Sequence, residues 1–490
     1  MSKAYIIGTG PGDEELLTLK AKRVINECTA VLYDRLVSNN ILNYLNEDCE
    51  VYYCGKEPGA HYKTQEEIND MIVKLAKEGH IVGRIKGGDP YVFGRGGEEV
   101  IACREAGIEF EVIPGVTSPI AVLNYAGIPI THRGIAQSFH IVTGMSAKDL
   151  NVNYEALAKE NGTLVFMMGL SNIDRITSEL IKYGKDRNTK AAVVMRGTSS
   201  KQKKVIGNLE NIGDKAREAN LQSPCIIVIG DVVSLESELS WYENKPLFGK
   251  NICITRSKEQ SKDLKVELKK LGAEVTEINS IVIKDTSDKL DSIKDDLSIF
   301  DHILFTSVNG VNKFFDYLVK EKIDVRNIKA KVSSIGKATT KALEMRGIIP
   351  FKTSREFVGE KLFDTIKPFI KEGDRILIPS SSKSRPFLAE ELKKLGAIVT
   401  KINVYDVTKG EVKNTKAFDE VDAILFTSPS TFENMKEMVG LNKIKEKICI
   451  AIGPITNKAL NESGVNSFVC KEHSQEGFLK EIKDILKEVH

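Results

Sequence analysis

The chain has 490 residues and an apolar fraction of 41 %, enough for two to four domain cores that need no disulfide or metal to hold them. Lys and Arg number 70 against 68 Asp and Glu, and each half lies within a few charges of neutrality, which excludes a histone-like or ribosomal role and any general affinity for nucleic acid. The 8 Cys are scattered, with no C-x-x-C pair and no His–Cys cluster of zinc spacing, so they read as reduced thiols of a cytoplasmic protein and no metal is expected. The run after Met1 breaks at Gly8, short of a signal-peptide core, and no apolar stretch approaches the ~18 residues of a membrane span, so no membrane partner is expected.

Up to Glu236, short β-rich runs alternate with amphipathic stretches. The runs are Tyr5–Ile7, Ala30–Tyr33, Ile81–Ile85, Thr163–Phe166, Ala191–Val194 and Cys225–Ile229, and the alternation predicts an α/β fold. Between the first two lies Gly8-Thr9-Gly10-Pro11-Gly12-Asp13, with a helix expected from about Glu14. A G-x-G-x-x-G dinucleotide loop fails here because its sixth position is Asp13 and Pro11 intrudes, and no P-loop occurs anywhere in the chain. Acidic residues where a helix start would otherwise attract phosphate favour a cationic or zwitterionic cofactor. Further on, Thr64 and Glu67 form a T-x-x-E capping box, Ile68, Met71, Ile72 and Leu75 make one apolar stripe, and Gly79 marks the stop of a scaffold helix.

The segment 237–249 carries the only Trp and no clear period, so domains are expected at 1–245 and 246–490. The second domain repeats itself. ELKKLGAEVTEI at 267–278 returns as ELKKLGAIVTKI at 391–402, FTSVNG at 305–310 as FTSPST at 426–431, and IGKATTKAL at 335–343 as IGPITNKAL at 452–460. Three matched segments in the same order indicate a duplicated α/β unit, hence two lobes and a cleft, the usual place for a ligand of moderate size. Thr306-Ser307 and Thr427-Ser428 each follow an apolar run, at the carboxyl end of a strand, where open α/β sheets present ligand sites.

The blocks YIIGTGPGDEELLTLKA (5–21), VLYDRLVS (31–38), GRIKGGDPYVFGRGGEE (83–99), PGVTSPIAVLNYAGIPITHR (114–133), FMMGL (166–170) and MRGT (195–198) resemble, in order, the motifs of uroporphyrinogen-III C-methyltransferase, a tetrapyrrole methylase. The rear half resembles uroporphyrinogen-III synthase through Thr255-Arg256, FTSVNG, PSSSKSR at 379–385, Val404-Tyr405, FTSPS and IGPIT. The resemblance implies a two-domain methylase fold followed by a bilobal α/β synthase, lobe one being 250–283 plus 408–490 and lobe two 284–407. It implies a bifunctional enzyme that closes hydroxymethylbilane to uroporphyrinogen III and methylates that product at C2 and C7 to precorrin-2, for siroheme or cobalamin. S-adenosylmethionine is the implied cofactor, S-adenosylhomocysteine its product, and a homodimer through the methylase half the implied assembly.

By the family pattern, Pro11, Gly87, Gly88, Asp89 and Val92 line the cofactor, together with Thr117, Ser118, Met168, Gly197 and Cys225. Paired Gly allow backbone to approach a ligand closely, and Asp-Pro fixes the turn after them. Thr117 and Ser118 also read as helix N-cap residues, and Met168 owes its place only to FMMGL. Asp34 and Lys56 match the proposed proton acceptor and proton donor; the bland alternatives are an ion pair of Asp34 with Arg35 and, equally weighted, a solvated loop lysine at Lys56. Carboxylates of the substrate would fall to Arg35, Arg84, Arg95, Arg104, Arg133 or His132, since guanidinium forks suit them. In the synthase half the candidates are Tyr405 for catalysis and Arg256, Thr306, Ser307, Thr427 and Ser428 for substrate. Three rivals stand beside this reading: a methylase of later corrin intermediates, a methylase joined to a non-catalytic bilobal tetrapyrrole-binding or sensory module, and a nucleotide-dependent reductase, which the broken Gly pattern disfavours.

Overall fold

The computed structural model describes residues 3–46, 48–55, 63–145, 152–255, 258–278, 280–354, 359–410, 416–472 and 474–488. Its first layer is β1 (Lys3–Gly8), β2 (Ala30–Tyr33), β3 (Glu50–Tyr53), β4 (Ile81–Lys86) and β5 (Glu109–Ile113), all parallel in the order β3-β2-β4-β1-β5. β1, β2 and β4 are buried almost throughout, which is why they show as continuous apolar runs in the sequence. α1 (Leu19–Glu27) packs with Tyr5 and Ile7 on one face, while α2 (Gln65–Lys77) and α3 (Gly96–Glu105) pack with Ala4 and Leu32 on the other. The chain therefore leaves β1 toward one face and β4 toward the other, and a crevice opens at their carboxyl ends. α2 carries the Thr64–Glu67 capping box in full. The helix expected from Glu14 is instead one 3-10 turn, Glu14–Leu16, and the regular helix starts at Leu19. Leu17 and Thr18 are extended, and the Thr18 hydroxyl caps α1 by accepting from Ala21 N.

A second, mixed sheet contains β6 (Phe139–Thr143), β7 (Thr163–Met167), β8 (Lys190–Met195), β9 (Lys203–Asn208) and β10 (Cys225–Ile229) in the order β6-β7-β10-β8-β9. α4 (Ser118–Tyr125) joins the two sheets, burying Val122 and Leu123 against Val165, Val194 and Ile226. β3, β5, β6 and β9 escaped the sequence reading because they are half-exposed edge strands with little apolar signal. In the segment between the halves, Tyr242 lies against Tyr125 in a tilted pair with ring centroids 4.7 Å apart, whereas Leu247 is buried in the rear core.

The rear half has two sheets. One holds β11 (Asn251–Ile254), β12 (Glu274–Glu277), β19 (Ala423–Phe426), β20 (Ile448–Ala451) and β21 (Ser467–Val469) in the order β12-β11-β19-β20-β21, all parallel. The other orders β13 (Ile281–Asp285), β18 (Ile398–Lys409), β17 (Arg375–Ser381), β14 (His302–Phe305), β15 (Lys331–Ile335) and β16 (Lys352–Ser354) as β13-β18-β17-β14-β15-β16. Apart from the edge strand β13 the two orders correspond strand for strand, and each repeated segment falls on the same kind of element in both. The limits expected at 283/284 and 407/408 fall inside β13 and β18, an antiparallel pair that belongs wholly to the second sheet. The chain thus crosses between lobes near 278–281 and between Lys409 and Ala423.

Candidate active sites

The front site is built on three glycines. Thr9 N donates to Lys86 O (2.9 Å), and Gly10 and Gly88 exchange N–H···O bonds of 3.2 and 2.7 Å, tying the loop after β1 to the loop after β4. Gly115, after β5, presses on both: a Cβ on Gly8 would lie 2.6 Å from Gly115 N and 2.7 Å from Gly88 O, and a Cβ on Gly115 would run into Gly88 O. Asp89 locks the junction, its Oδ2 accepting from Gly115 N (3.1 Å) and its Oδ1 from Tyr91 N (2.9 Å). Asp89 is thus committed to the loops themselves, and a ligand meets the backbone that it holds.

From the other side, Cys225 pairs with Met195 and Ile226 with Met167, so Met168, Cys225 and Arg196-Gly197 share one end of the second sheet. That end abuts α4, since a Cβ on Gly197 would collide with Val122. The N-terminus of α4 carries Thr117 and Ser118, and the Thr117 side chain makes no capping bond, leaving its hydroxyl uncommitted to the helix. Pro11 lies between Gly10, bonded to Gly88, and Gly12, whose added Cβ would sit 3.0 Å from Thr198 Oγ1. Val92 N closes the same turn onto Asp89 O (3.3 Å). The ten residues expected at the cofactor therefore stand on loops and strand ends that meet in one cleft between the two sheets. Of seven non-glycine residues with positive φ among those described, Phe93, Arg95, Met168, Arg196 and Thr198 lie in its loops, the kind of backbone strain that concentrates at ligand sites.

Asp34 sits at the end of β2 beside this cleft. Its Oδ1 accepts from Leu36 N (3.0 Å) and its Oδ2 from Arg84 Nη2 (3.1 Å), and Leu36 in turn touches Gly87. The pairing of Asp34 with neighbouring Arg35 is replaced by this contact with Arg84, whose side chain is buried. Arg84 is accordingly removed from the candidates for substrate carboxylates: it donates to Asp34 and to Glu99 Oε1 (2.9 Å), which also receives Lys86 Nζ (2.9 Å). Glu99 is 0 % exposed. Burial, with the charge of Arg84 added and that of Glu99 opposing, pushes the Lys86 ammonium below its ordinary value. Burial raises the Cys225 thiol to about 11, so it is protonated at neutral pH. Arg35, Arg95, Arg104, Arg133 and His132 are exposed, and Glu98 holds Arg95 with two bonds of 2.8 Å. Lys56 lies outside the described residues.

The network Asp34–Arg84–Glu99–Lys86 was missed as a unit. Its signal was present, since Arg84 and Lys86 stand two residues apart, on one side of an otherwise apolar strand. With its charges paired internally, the cleft offers backbone amides, hydroxyls and apolar surface, a donor set that fits a zwitterionic sulfonium compound better than a pyrophosphate.

In the rear half, the loops after β11 and β19, and those after β17 and β14, flank the point where each sheet's strand order reverses, the usual crevice for a ligand. Thr427 and Ser428 follow β19, and Ser428 caps the helix Pro429–Val439. Thr306 and Ser307 follow β14. Ser307 caps the helix Val308–Lys320 by accepting from Gly310 N (3.0 Å), and its Oγ also lies 3.0 Å from the hydroxyl of buried Tyr405. Thr306 lines a hollow of about 180 Å³ shared with Ser380, Ser384, Arg385 and Lys401; of these, the sequence reading had only the PSSSKSR block to offer. Arg256 lies outside the described residues. Among the described residues no group of three or more His, Cys, Asp or Glu could hold a metal ion, and no helix is long and apolar enough to cross a membrane.

Two family models match the chain: "Tetrapyrrole (Corrin/Porphyrin) Methylases" over residues 3–213 and "Uroporphyrinogen-III synthase HemD" over residues 262–480. A "Porphyrin biosynthesis protein HemD" of Ruminiclostridium josui is 34 % identical over 490 residues, 98 % of this chain and 97 % of that one. A uroporphyrinogen-III C-methyltransferase of Bacillus subtilis is 41 % identical over 365 residues, 73 % of this chain and 75 % of its own length. The front half alone is 46 % identical over 240 residues to an S-adenosyl-L-methionine-dependent uroporphyrinogen III methyltransferase of Methanosarcina barkeri, covering 48 % of this chain and 94 % of the relative.

Proposed function

The chain belongs to the tetrapyrrole methylases through its front half and to the uroporphyrinogen-III synthases through its rear half, and from that premise we propose how its residues divide the work. It is a bifunctional enzyme of tetrapyrrole biosynthesis, a uroporphyrinogen-III C-methyltransferase joined to a uroporphyrinogen-III synthase. In our reading the rear half closes hydroxymethylbilane with inversion of its last ring, and the front half methylates the resulting uroporphyrinogen III at C2 and C7 to precorrin-2. Fusion shortens the path of the intermediate between the two steps. A homodimer through the front half and residence in the cytoplasm belong to the same proposal.

The observation that carries the front assignment is the glycine junction of Gly8, Gly88 and Gly115, opposite the uncommitted Thr117 hydroxyl. Bound there, S-adenosylmethionine supplies an electrophilic methyl group on a cationic sulfur. Gly87 and Gly88 let backbone reach it, Asp89 fixes the loop, and Pro11, Val92, Ser118, Met168, Gly197 and Cys225 close the walls. Orienting groups of this kind are worth on the order of 7–11 kcal/mol of barrier when the reacting atoms are held in line. Asp34, its carboxylate aimed by Arg84 and Leu36 N, accepts the proton lost from the methylated ring, and Lys56 is its counterpart as proton donor. In the rear half Ser307 and Tyr405 face the departing hydroxyl of the open chain. Thr306, Thr427, Ser428 and Arg256 hold the chain folded, so that closure occurs with inversion.

The test is hydroxymethylbilane plus isotopically labelled S-adenosylmethionine on the whole chain, with mass analysis of the product. A doubly labelled dimethyl tetrapyrrole of the type-III series is expected. Type-I product alone would reduce the rear half to a binding module, and unlabelled product would remove the methylase assignment.

A further inference from the structure

The two halves meet at the acidic end of the front half's glycine-rich loop. The helix Lys258–Lys270 of the rear half presents Lys265 and Lys269 to Asp13 and Glu14. Lys269 Nζ lies 3.0 Å from Asp13 Oδ1 and 2.9 Å from Glu14 Oε1, and Lys265 Nζ lies 2.8 Å from Glu14 Oε1 and 2.5 Å from Glu277 Oε2. The cluster is enclosed: the Glu14 side chain is 2 % exposed and that of Lys269 11 %. Ion pairs as sheltered as these depend on both partners, because removing one leaves the other charge buried without compensation.

Asp13 does more than meet Lys269. Its Oδ2 accepts from the hydroxyl of Tyr125 (2.9 Å) on α4, its Oδ1 accepts from Glu15 N (3.0 Å), and its own N–H donates to Thr198 Oγ1 (3.2 Å) in the loop after β8. One residue thus knots three segments that line the front cleft: the loop of Pro11, the helix that begins at Ser118, and the loop of Gly197. The cation that balances this knot comes from the other half of the chain. Asn40 Nδ2 to Val275 O (2.9 Å) and Ser200 Oγ to Glu274 Oε2 (2.7 Å) seat the rear half at the same edge.

We propose that Lys269, seconded by Lys265, is a positioning residue for the methyl-donor site, so that the front half's affinity for S-adenosylmethionine depends on the docked rear half. The proposal rests on reading the front cleft as the S-adenosylmethionine site. Binding linkage is reciprocal, so occupancy of the front cleft in turn favours the docked arrangement of the two halves.

The experiment compares the wild-type full chain with Lys269→Gln and Lys269→Arg, by calorimetry with S-adenosylhomocysteine and by steady-state methylation. For Lys269→Gln, Kd for S-adenosylhomocysteine and KM for S-adenosylmethionine rise about tenfold, while kcat at saturation and the cyclisation rate of the rear half stay within about twofold. Lys269→Arg keeps the charge and restores most of the affinity. Unchanged affinity in Lys269→Gln, beside a wild type that binds, overturns the proposal; a wild type that binds no S-adenosylhomocysteine overturns the cofactor reading instead. If Lys269→Gln also loses cyclisation, Lys265→Gln decides: about threefold weaker binding supports the coupling, and unchanged binding overturns it.

Discussion

Glu99 shows how much a single side chain can carry. It has no exposed surface, and it is the common acceptor for Arg84 and Lys86, while Arg84 in turn aims Asp34. Glu99→Gln removes the charge that compensates two buried cations, which costs about 3–5 kcal/mol. Urea unfolding followed through Trp241, the only Trp in the chain, should show the midpoint fall accordingly, with cyclisation by the rear half retained. An unchanged midpoint would mean that Arg84 and Lys86 find their compensation elsewhere. The charge of each member is plain in the sequence, as is the resemblance that singles out Asp34. The pairing is not, because Glu99 reaches Arg84 from the helix that follows the strand, and only packing says which carboxylate meets which guanidinium.

At the scale of elements, the front site is a meeting of strand ends. β1, β4 and β5 bring Gly8, Gly88 and Gly115 into backbone contact, and no side chain fits between them. Gly115→Ala places a methyl group against Gly88 O; relieving such overpacking costs about 1–3 kcal/mol and shifts the loops. The expected outcome is at least a tenfold loss of affinity for S-adenosylhomocysteine by calorimetry, with the rear half still active. Retained affinity would show that the junction is not part of the cofactor site. The central buried strands and the capped α2 were legible because apolar runs and a capping box are local signals. The edge strands β3, β5, β6 and β9 were not, since half their surface is wet and their pairing is decided by neighbours. The regular helix expected from Glu14 starts at Leu19 because the chain is extended at Leu17 and Thr18 and the Thr18 hydroxyl supplies the N-cap.

Across the whole molecule the two halves are held by buried and half-buried ion pairs, and this makes the junction sensitive to acid. Burial alone would raise the Asp13 carboxyl, but Lys269, Glu15 N–H and Tyr125 outweigh it and hold it below its ordinary 3.8. Burial likewise works against Glu420, yet Lys201 and Arg196 hold it below 4.5. A carboxylate with a depressed folded value stabilises fully above its ordinary value and ceases to do so as the pH falls through the depressed one. Small-angle scattering should therefore give a constant radius of gyration from about pH 8 to about pH 5 and a larger one only once the pH has fallen below the ordinary carboxylate values, with the strand signal in circular dichroism retained. A radius that does not grow before the strand signal itself is lost would contradict an ionic junction.

The amino-acid sequence by itself determined the α/β class, the duplication in the rear half and the ordered motif blocks that place this chain among the tetrapyrrole methylases and uroporphyrinogen-III synthases. All of these are written in local composition, periodicity or short contiguous strings. Tertiary structure alone decided that Arg84 serves Asp34 and not a substrate, that Ser307 faces Tyr405, and that the lysines of a synthase helix close on the methylase's acidic loop. Those contacts join residues 50, 98 and 256 positions apart, and their energies depend on burial and geometry that exist only after the sheets have packed.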